Sequence, residues 1–146
     1  MRIENQLAPK THGDFWAALR LPARETNLYE LVHHGLSFEL LDQLACLVQM
    51  SRADLSHAIS VSPRALARRA KAGRFSTAES DRLVALIAVF EEALSLFEGD
   101  FTATRKWMDS PVRGLGLKKP LDMLGTRVEA NAVLDLIGML ARGVLV

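Results

Sequence analysis

Residues 55–69 read LSHAISVSPRALARR, and this stretch decides how the fold is interpreted. Apolar side chains recur where two short helices and the turn between them would face a common core. Ser62 and Pro63 mark the start of the second helix, because a serine hydroxyl can accept a hydrogen bond from a free backbone N–H and proline already has a helical φ. The stretch therefore predicts two short helices that meet at a steep angle. The predicted inward-facing positions are Leu55, Ile59, Val61, Leu66 and Ala70.

The second of these helices carries a concentration of positive charge. Residues 64–74 contain five basic side chains and no acidic one. The helical repeat places Arg64, Arg68 and Lys71 on one face, opposite Leu66. Such clusters are typical of phosphate-binding surfaces, and arginine can also recognise guanine. We predict a DNA interface, with a protein- or RNA-binding patch and a solvated basic face as the alternatives. Its predicted residues are Ser62, Arg64, Arg68, Arg69, Lys71 and Arg74.

The excess of positive charge is confined to the middle of the chain. Residues 1–50 hold four basic and six acidic side chains (net −2), and residues 51–82 hold seven and three (net +4). Residues 83–146 hold seven and eight (net −1), and the three parts sum to the formal net charge of +1. The charge is therefore a local property of the predicted DNA-binding region.

The rest of the sequence is typical of an all-α protein. The chain has 146 residues, 49% hydrophobic and 24% charged, which is enough for a core without disulfide bonds or a structural metal ion. Alanine and leucine dominate its periodic segments. Ser76 and Glu79 form a capping box ahead of a long apolar segment, which we expect to be a central buried helix ending at Gly99. Further helices are predicted to begin near Asp14, Leu28, Ser37, Ser51, Thr102 and Thr126.

No pattern typical of an enzyme is found. The four histidines lack metal-ligand spacing, and residues 114–116 lack the remaining features of a phosphate loop. Cys46 is the single cysteine, so no disulfide bond can form within the chain, which favours a reducing cytoplasm. It lies in an apolar run where we expect it to be buried rather than catalytic. The longest apolar stretch, residues 83–90, is far shorter than the roughly 18 residues of a membrane span. We predict a cytoplasmic binding protein without a cofactor, a metal ion or a membrane partner.

Residues 55–69 resemble the helix-turn-helix of Xre/Cro-type DNA-binding proteins. The resemblance implies that the helix beginning at Ser62 reads operator DNA. That family usually has alanine at the position of Ser56 and often glycine at the position of Ser60. One such motif contacts few base pairs, so we expect a homodimer whose two-fold symmetry matches a palindromic operator.

The last third of the chain carries a second pattern. Trp107 opens the spacing W-x3-P-x3-LG-x3-PL, and a threonine and a helix ending in R-G-V follow. This pattern resembles the toxin-binding domain of Xre/MbcA/ParS-type antitoxins, which belong to type II toxin-antitoxin systems. Such domains often have glycine where Leu117 and Glu129 stand. Trp107 is also the kind of large side chain that fixes a loop to a core or to a partner. The alternative is that the loop after Trp107 only joins two helices.

The resemblance implies that this chain binds a cognate toxin. In many such pairs the toxin is a RES-domain protein that consumes NAD, and the C-terminal segment of the antitoxin blocks its active site. Val144, Leu145 and Val146 form an apolar tail that would gain burial in a partner, or in this chain's own core. The implied toxin-binding residues are Trp107, Arg142, Gly143, Val144, Leu145 and Val146.

Three regions are predicted. Residues 1–50 form an N-terminal helical region that either pairs subunits or caps the core, residues 51–98 form the helix-turn-helix region with the central helix, and residues 99–146 form a small helical toxin-binding domain. The predicted function is that of an antitoxin that also represses its own operon. A helical adaptor and a stand-alone Xre-like transcriptional regulator are the alternatives.

Overall fold

The structure is a computed structural model, which describes residues 12–21 and 26–143. These residues form eight α-helices and no β-strand, which confirms the predicted all-α class. Two single-turn 3₁₀ helices, Arg113–Leu115 and Pro120–Asp122, lie in the loop between the last two α-helices. The α-helices are α1 (His12–Ala18), α2 (Thr26–His34), α3 (Glu39–Val48), α4 (Arg52–Ala58), α5 (Pro63–Ala72), α6 (Thr77–Leu96), α7 (Phe101–Met108) and α8 (Arg127–Ala141).

Helix α6 is the centre of the fold. Its start is the predicted capping box: Ser76 Oγ accepts from the Glu79 backbone N–H at 3.1 Å, and the Glu79 carboxylate accepts from the Ser76 N–H at 2.9 Å. Ten of its residues are buried, because α1, α2, α7 and α8 all pack against it. This confirms the predicted central helix, although it ends at Leu96 rather than at Gly99.

The N-terminal helix α1 packs on α6. The rings of Phe15 and Phe90 stack with centroids 6.2 Å apart, and Trp16 Nε1 donates to the Glu91 carboxylate at 3.0 Å. The described part of the N-terminal region therefore covers one side of the core. The sequence predicts that Asp14 caps this helix, but α1 begins at His12 and Asp14 lies within its first turn, so that prediction is wrong.

Helix α3 differs in two details from its prediction. It begins at Glu39, and its N-cap is Phe38 rather than Ser37, because the backbone of Ser37 pairs with Arg74 in an isolated bridge. Cys46 is exposed, so the prediction that it is buried is wrong. The apolar stripe that faces the core lies on the other side of this helix and consists of Leu40, Leu41, Leu44 and Val48.

The other predicted helix starts agree with the structure. Ser51 caps α4 by accepting from the Asp54 N–H at 3.0 Å, and Thr126 caps α8 by accepting from the Glu129 N–H at 3.2 Å. Asp100 caps α7, one residue before its first turn. Across the described ranges, no helix combines the length and the hydropathy that crossing a membrane requires.

Candidate functional site

Helices α4 and α5 and the four residues between them form the predicted helix-turn-helix. Leu55 and Ile59 are fully buried, Val61 is buried in the turn, and Leu66 is half-buried. The Arg82 Nε of α6 donates to the Ile59 carbonyl at 2.7 Å, which ties the turn to the central helix. The motif is therefore built on α6 rather than standing apart from it.

The structure shows the surroundings of Ser60 and Ser56, where the sequence departs from the residues usual in the family that it resembles. Ser60 has φ +61°, a left-handed conformation in which glycine is the least strained residue. Ser56 is buried, and its hydroxyl donates to the backbone carbonyl of Arg52 at 2.9 Å. A serine is thus accommodated at a tight helix contact because its polar group is satisfied within its own helix.

Helix α5 lies on the surface, and none of its residues is fully buried. Ser62 caps it by accepting from the Ala65 N–H at 3.1 Å, with Pro63 in its first turn as predicted. Leu66 faces inward as predicted, but Ala70 is exposed, so its predicted inward position is wrong. The helix is rotated so that Ala65, Leu66 and Arg69, rather than Ala70, lie toward the core.

The outer face of α5 presents three cations. Arg64, Arg68 and Lys71 are exposed and lie on one face, as the helical repeat predicts. The side chains of these three residues form no hydrogen bond and no ion pair with another residue of the described ranges. Their charges are therefore available to a negatively charged ligand.

Arg69 has different surroundings. Its Nε and Nη2 donate to the two carboxylate oxygens of Glu79 at 2.6 and 3.1 Å. Burial raises the pKa of the Glu79 carboxyl, but the hydrogen bonds from Arg69 and Ser76, together with the positive charge of Arg69, hold that pKa below its ordinary value. Arg69 thus joins α5 to the capping box of α6.

Arg74 lies beyond the end of α5, after Gly73, which ends the helix with φ +85°. Its Nη1 donates to the His34 carbonyl at 3.2 Å, and its backbone pairs with Ser37. Of the six predicted DNA-binding residues, the structure therefore places three on one open face and Ser62 at the start of that helix. It turns Arg69 inward and attaches Arg74 to α2.

Sequence reasoning missed the residues that hold this interface in place. Glu79 was recognised only as a capping partner, and Arg82 was not singled out. Neither has a local signal for its second role, because Glu79 and Arg69 are ten positions apart and Arg82 and Ile59 are twenty-three apart.

The C-terminal pattern forms α7, a loop and α8. Trp107 is half-buried, and its ring lies 6.2 Å from that of Phe97 between centroids. In the loop, the Val112 N–H donates to the Lys118 carbonyl at 3.1 Å, and the Leu117 N–H donates to the Val112 carbonyl at 2.9 Å. These bonds close a tight turn at the position of the predicted glycine-containing segment.

Helix α8 packs along α6 through a buried stripe. Leu134 and the residues of its last turns, Met139 and Leu140, are only half-buried. Arg142 and Gly143 are exposed at its end, and a methyl group added at Gly138 would lie 3.4 Å from the Arg142 Nη1. The predicted tail residues Val144, Leu145 and Val146 lie outside the described residues. The stripe consists of Ala130, Val133, Leu136 and Ile137.

The two halves of the chain meet behind the helix-turn-helix. His57 Nε2 lies 4.0 Å from Asp122 Oδ1, and a methyl group added at Gly125 would lie 3.2 Å from Ser60 Oγ. The turn of the motif therefore contacts the segment that leads into α8. Within the described part of the chain, no three side chains of His, Cys, Asp or Glu come together as metal ligands.

Two family descriptions match this chain. Residues 28–88 match the antitoxin Xre-like helix-turn-helix domain, and residues 92–143 match the antitoxin Xre/MbcA/ParS C-terminal toxin-binding domain. The first match spans α2 to α5 and the first half of α6, and the second spans the end of α6 to the second residue after α8. Together they include the outer face of α5, Trp107 and the 112–118 turn.

Two curated relatives match nearly the whole chain. A protein named Antitoxin Xre from Yersinia enterocolitica serotype O:8 / biotype 1B is 35% identical over 139 residues, which cover 94% of this chain and 93% of the relative. A protein of the same name from Photorhabdus laumondii subsp. laumondii is 29% identical over 147 residues, which cover 99% of both chains.

Proposed function

This chain belongs to the Xre antitoxin family, and from that premise we propose that it neutralises a cognate toxin by direct binding and represses its own operon by binding operator DNA. It is an antitoxin and not an enzyme. The observation that carries the proposal is the open cationic face of α5, on a chain whose remaining part matches a toxin-binding domain.

The DNA interface is the exposed side of α5. Arg64, Arg68 and Lys71 contact phosphates or base edges, and Ser62 brings the N-terminus of the helix to the groove. Arg69 acts from within, because its bond to Glu79 sets the angle of α5 on α6. Arg74 adds positive charge at the far end of the interface.

Two copies of the chain bind one operator. A single α5 reaches few base pairs, and a two-fold axis would place two such helices in successive major grooves. Three regions of the chain have different roles. Packing depends on residues 1–50, DNA binding on residues 51–98 and toxin binding on residues 99–146.

The toxin is a RES-type protein that consumes NAD, and the C-terminal segment of this chain blocks its active site. Arg142 and Gly143 are exposed at the end of α8, from which the apolar residues Val144, Leu145 and Val146 continue. Trp107 contributes to the toxin-binding surface, where its ring is held in place by packing on Phe97.

The test is to express the tagged chain with its two flanking genes and to identify what co-purifies. We expect one stoichiometric protein that arrests growth when expressed alone, with a fall in cellular NAD, and that is harmless when this chain is present. A chain that purifies without a partner, yet binds DNA upstream of its own gene, would contradict the antitoxin role and indicate a stand-alone regulator. A toxic partner that leaves NAD unchanged would contradict only the RES assignment.

A further inference from the structure

Leu117 combines two features that folding alone does not favour. Its side chain is 66% exposed, and its φ of +68° lies in the left-handed region that favours glycine. The preceding Gly116, at φ +66°, has the residue type that this conformation favours. An exposed leucine in such a backbone conformation suggests a role beyond the fold of the free chain.

The turn that carries Leu117 is firmly held. Its ends are joined by two hydrogen bonds, from the Val112 N–H to the Lys118 carbonyl and from the Leu117 N–H to the Val112 carbonyl, and Leu115 is buried beneath it. Pro120 is also buried, and Lys119 Nζ pairs with Asp109 Oδ1 at 3.3 Å. Leu117 is therefore presented by a scaffold that is already ordered, which lowers the entropic cost of binding.

The surroundings of Leu117 indicate the chemistry of its partner. Arg113 and Lys118 are exposed on the same turn and form no ion pair within residues 12–21 and 26–143. A methyl group added at Gly116 would meet nothing within 4 Å, so this side of the turn is open. An apolar tip between two cations fits an apolar pocket with an acidic rim. The same turn of a second copy would be repelled by the like charges.

We propose that Leu117 is an anchor that inserts into an apolar, acid-rimmed pocket on the toxin. The inference rests on the proposed function, since the turn lies within the residues that match a toxin-binding domain. It adds a second contact, separate from the C-terminal tail and from the half-buried Trp107.

For the test, the co-encoded toxin is released from its complex with denaturant, refolded and immobilised. The binding of the full-length chain to this toxin is then measured. We expect Leu117→Gly to weaken binding about tenfold to a hundredfold, the change that losing the burial of one leucine produces. Because glycine suits the backbone, this variant should be at least as stable to heat as the wild type, so misfolding cannot explain the loss. Leu117→Met should keep most of the affinity.

The control is Tyr29→Ala, which removes a side chain of similar exposure, 68%, from α2 outside the matched toxin-binding residues. It should leave toxin binding unchanged. Arg113→Glu combined with Lys118→Glu should slow association and reduce its dependence on salt.

Two results would overturn the inference. The first is a Leu117→Gly variant that binds the toxin as tightly as the wild type. The second is a variant whose only change is a smaller oligomer by light scattering, which would place Leu117 between copies of this chain. A wild-type chain that binds no toxin at all would overturn the proposed function as well.

Discussion

Arg68 and Arg69 are neighbours in the sequence, but only one of them is available to a ligand. Arg68 is exposed on the outer face of α5, whereas Arg69 forms two hydrogen bonds with a carboxylate that is only 7% exposed. One helical step of rotation separates the two side chains and gives them different surroundings.

At the residue scale, Arg68→Ala should weaken operator binding by about 1–3 kcal/mol, or reduce the salt slope of log Kd by about one if the contact is to phosphate. Arg64→Ala should behave similarly. The measurement is fluorescence anisotropy over a range of salt concentrations, with Lys106→Ala on α7 as the control for removal of an exposed charge. Unchanged binding in both α5 variants would remove that face from the DNA interface.

At the scale of the element, α5 is a surface helix whose attachment depends on few contacts. It has no fully buried residue, and its side chains that reach the core are Ala65, Leu66 and Arg69, which pairs with Glu79. Such a segment should open more readily than α6, which has ten buried residues.

Glu79→Gln should therefore lower the free energy of unfolding by about 1–3 kcal/mol, since it weakens hydrogen bonds to a charged group. It should also accelerate amide hydrogen exchange in α5 more than in α8. Operator affinity should fall with an unchanged salt slope, because no cation is lost. Arg69→Gln should have the same effects, and the double variant should be little worse than either single one. A reduced salt slope in Arg69→Gln alone would show instead that Arg69 contacts phosphate.

The same pair predicts a dependence of stability on pH. The folded-state pKa of Glu79 lies below its ordinary value of 4.5, so the carboxylate stabilises the folded state fully above that pH. This contribution is lost as the pH falls from 4.5, the ordinary pKa of the carboxyl, through the lower pKa that Glu79 has in the folded state. Urea unfolding between neutral and acidic pH should show a steeper loss in the wild type than in Glu79→Gln. Parallel curves would contradict the assignment.

At the scale of the whole molecule, the helix-turn-helix and the residues that match a toxin-binding domain are parts of one packed unit. Helix α6 supports both, since it anchors the turn before α5 through Arg82 and packs against α8. The contact of Asp122 and Gly125 with the helix-turn-helix joins the two parts a second time.

Deletion of residues 144–146 tests this division. The truncated chain should keep its melting temperature and its operator affinity, because the deletion removes no residue from the core formed within residues 12–21 and 26–143 and none from the outer face of α5. The toxin should regain activity, measured as growth arrest on co-expression. Full protection by the truncated chain would place neutralisation elsewhere, with the Leu117 turn as the remaining contact.

The class of the fold, the starts of most helices and the family can be recognised in the amino-acid sequence alone. Caps act within three or four residues, so Ser51, Ser62, Ser76 and Thr126 could be recognised without knowledge of the packing. The face shared by Arg64, Arg68 and Lys71 also follows from the helical repeat alone.

Which side of each helix is covered, and which charges are paired, depends on the packing of the helices. The exposure of Cys46 and Ala70 depends on the rotation of α3 and α5 against their neighbours. The bonds of Trp16 to Glu91 and of Arg82 to Ile59 join residues that are seventy-five and twenty-three positions apart. Such contacts depend on how the helices pack around α6, and no local pattern of residues determines that packing.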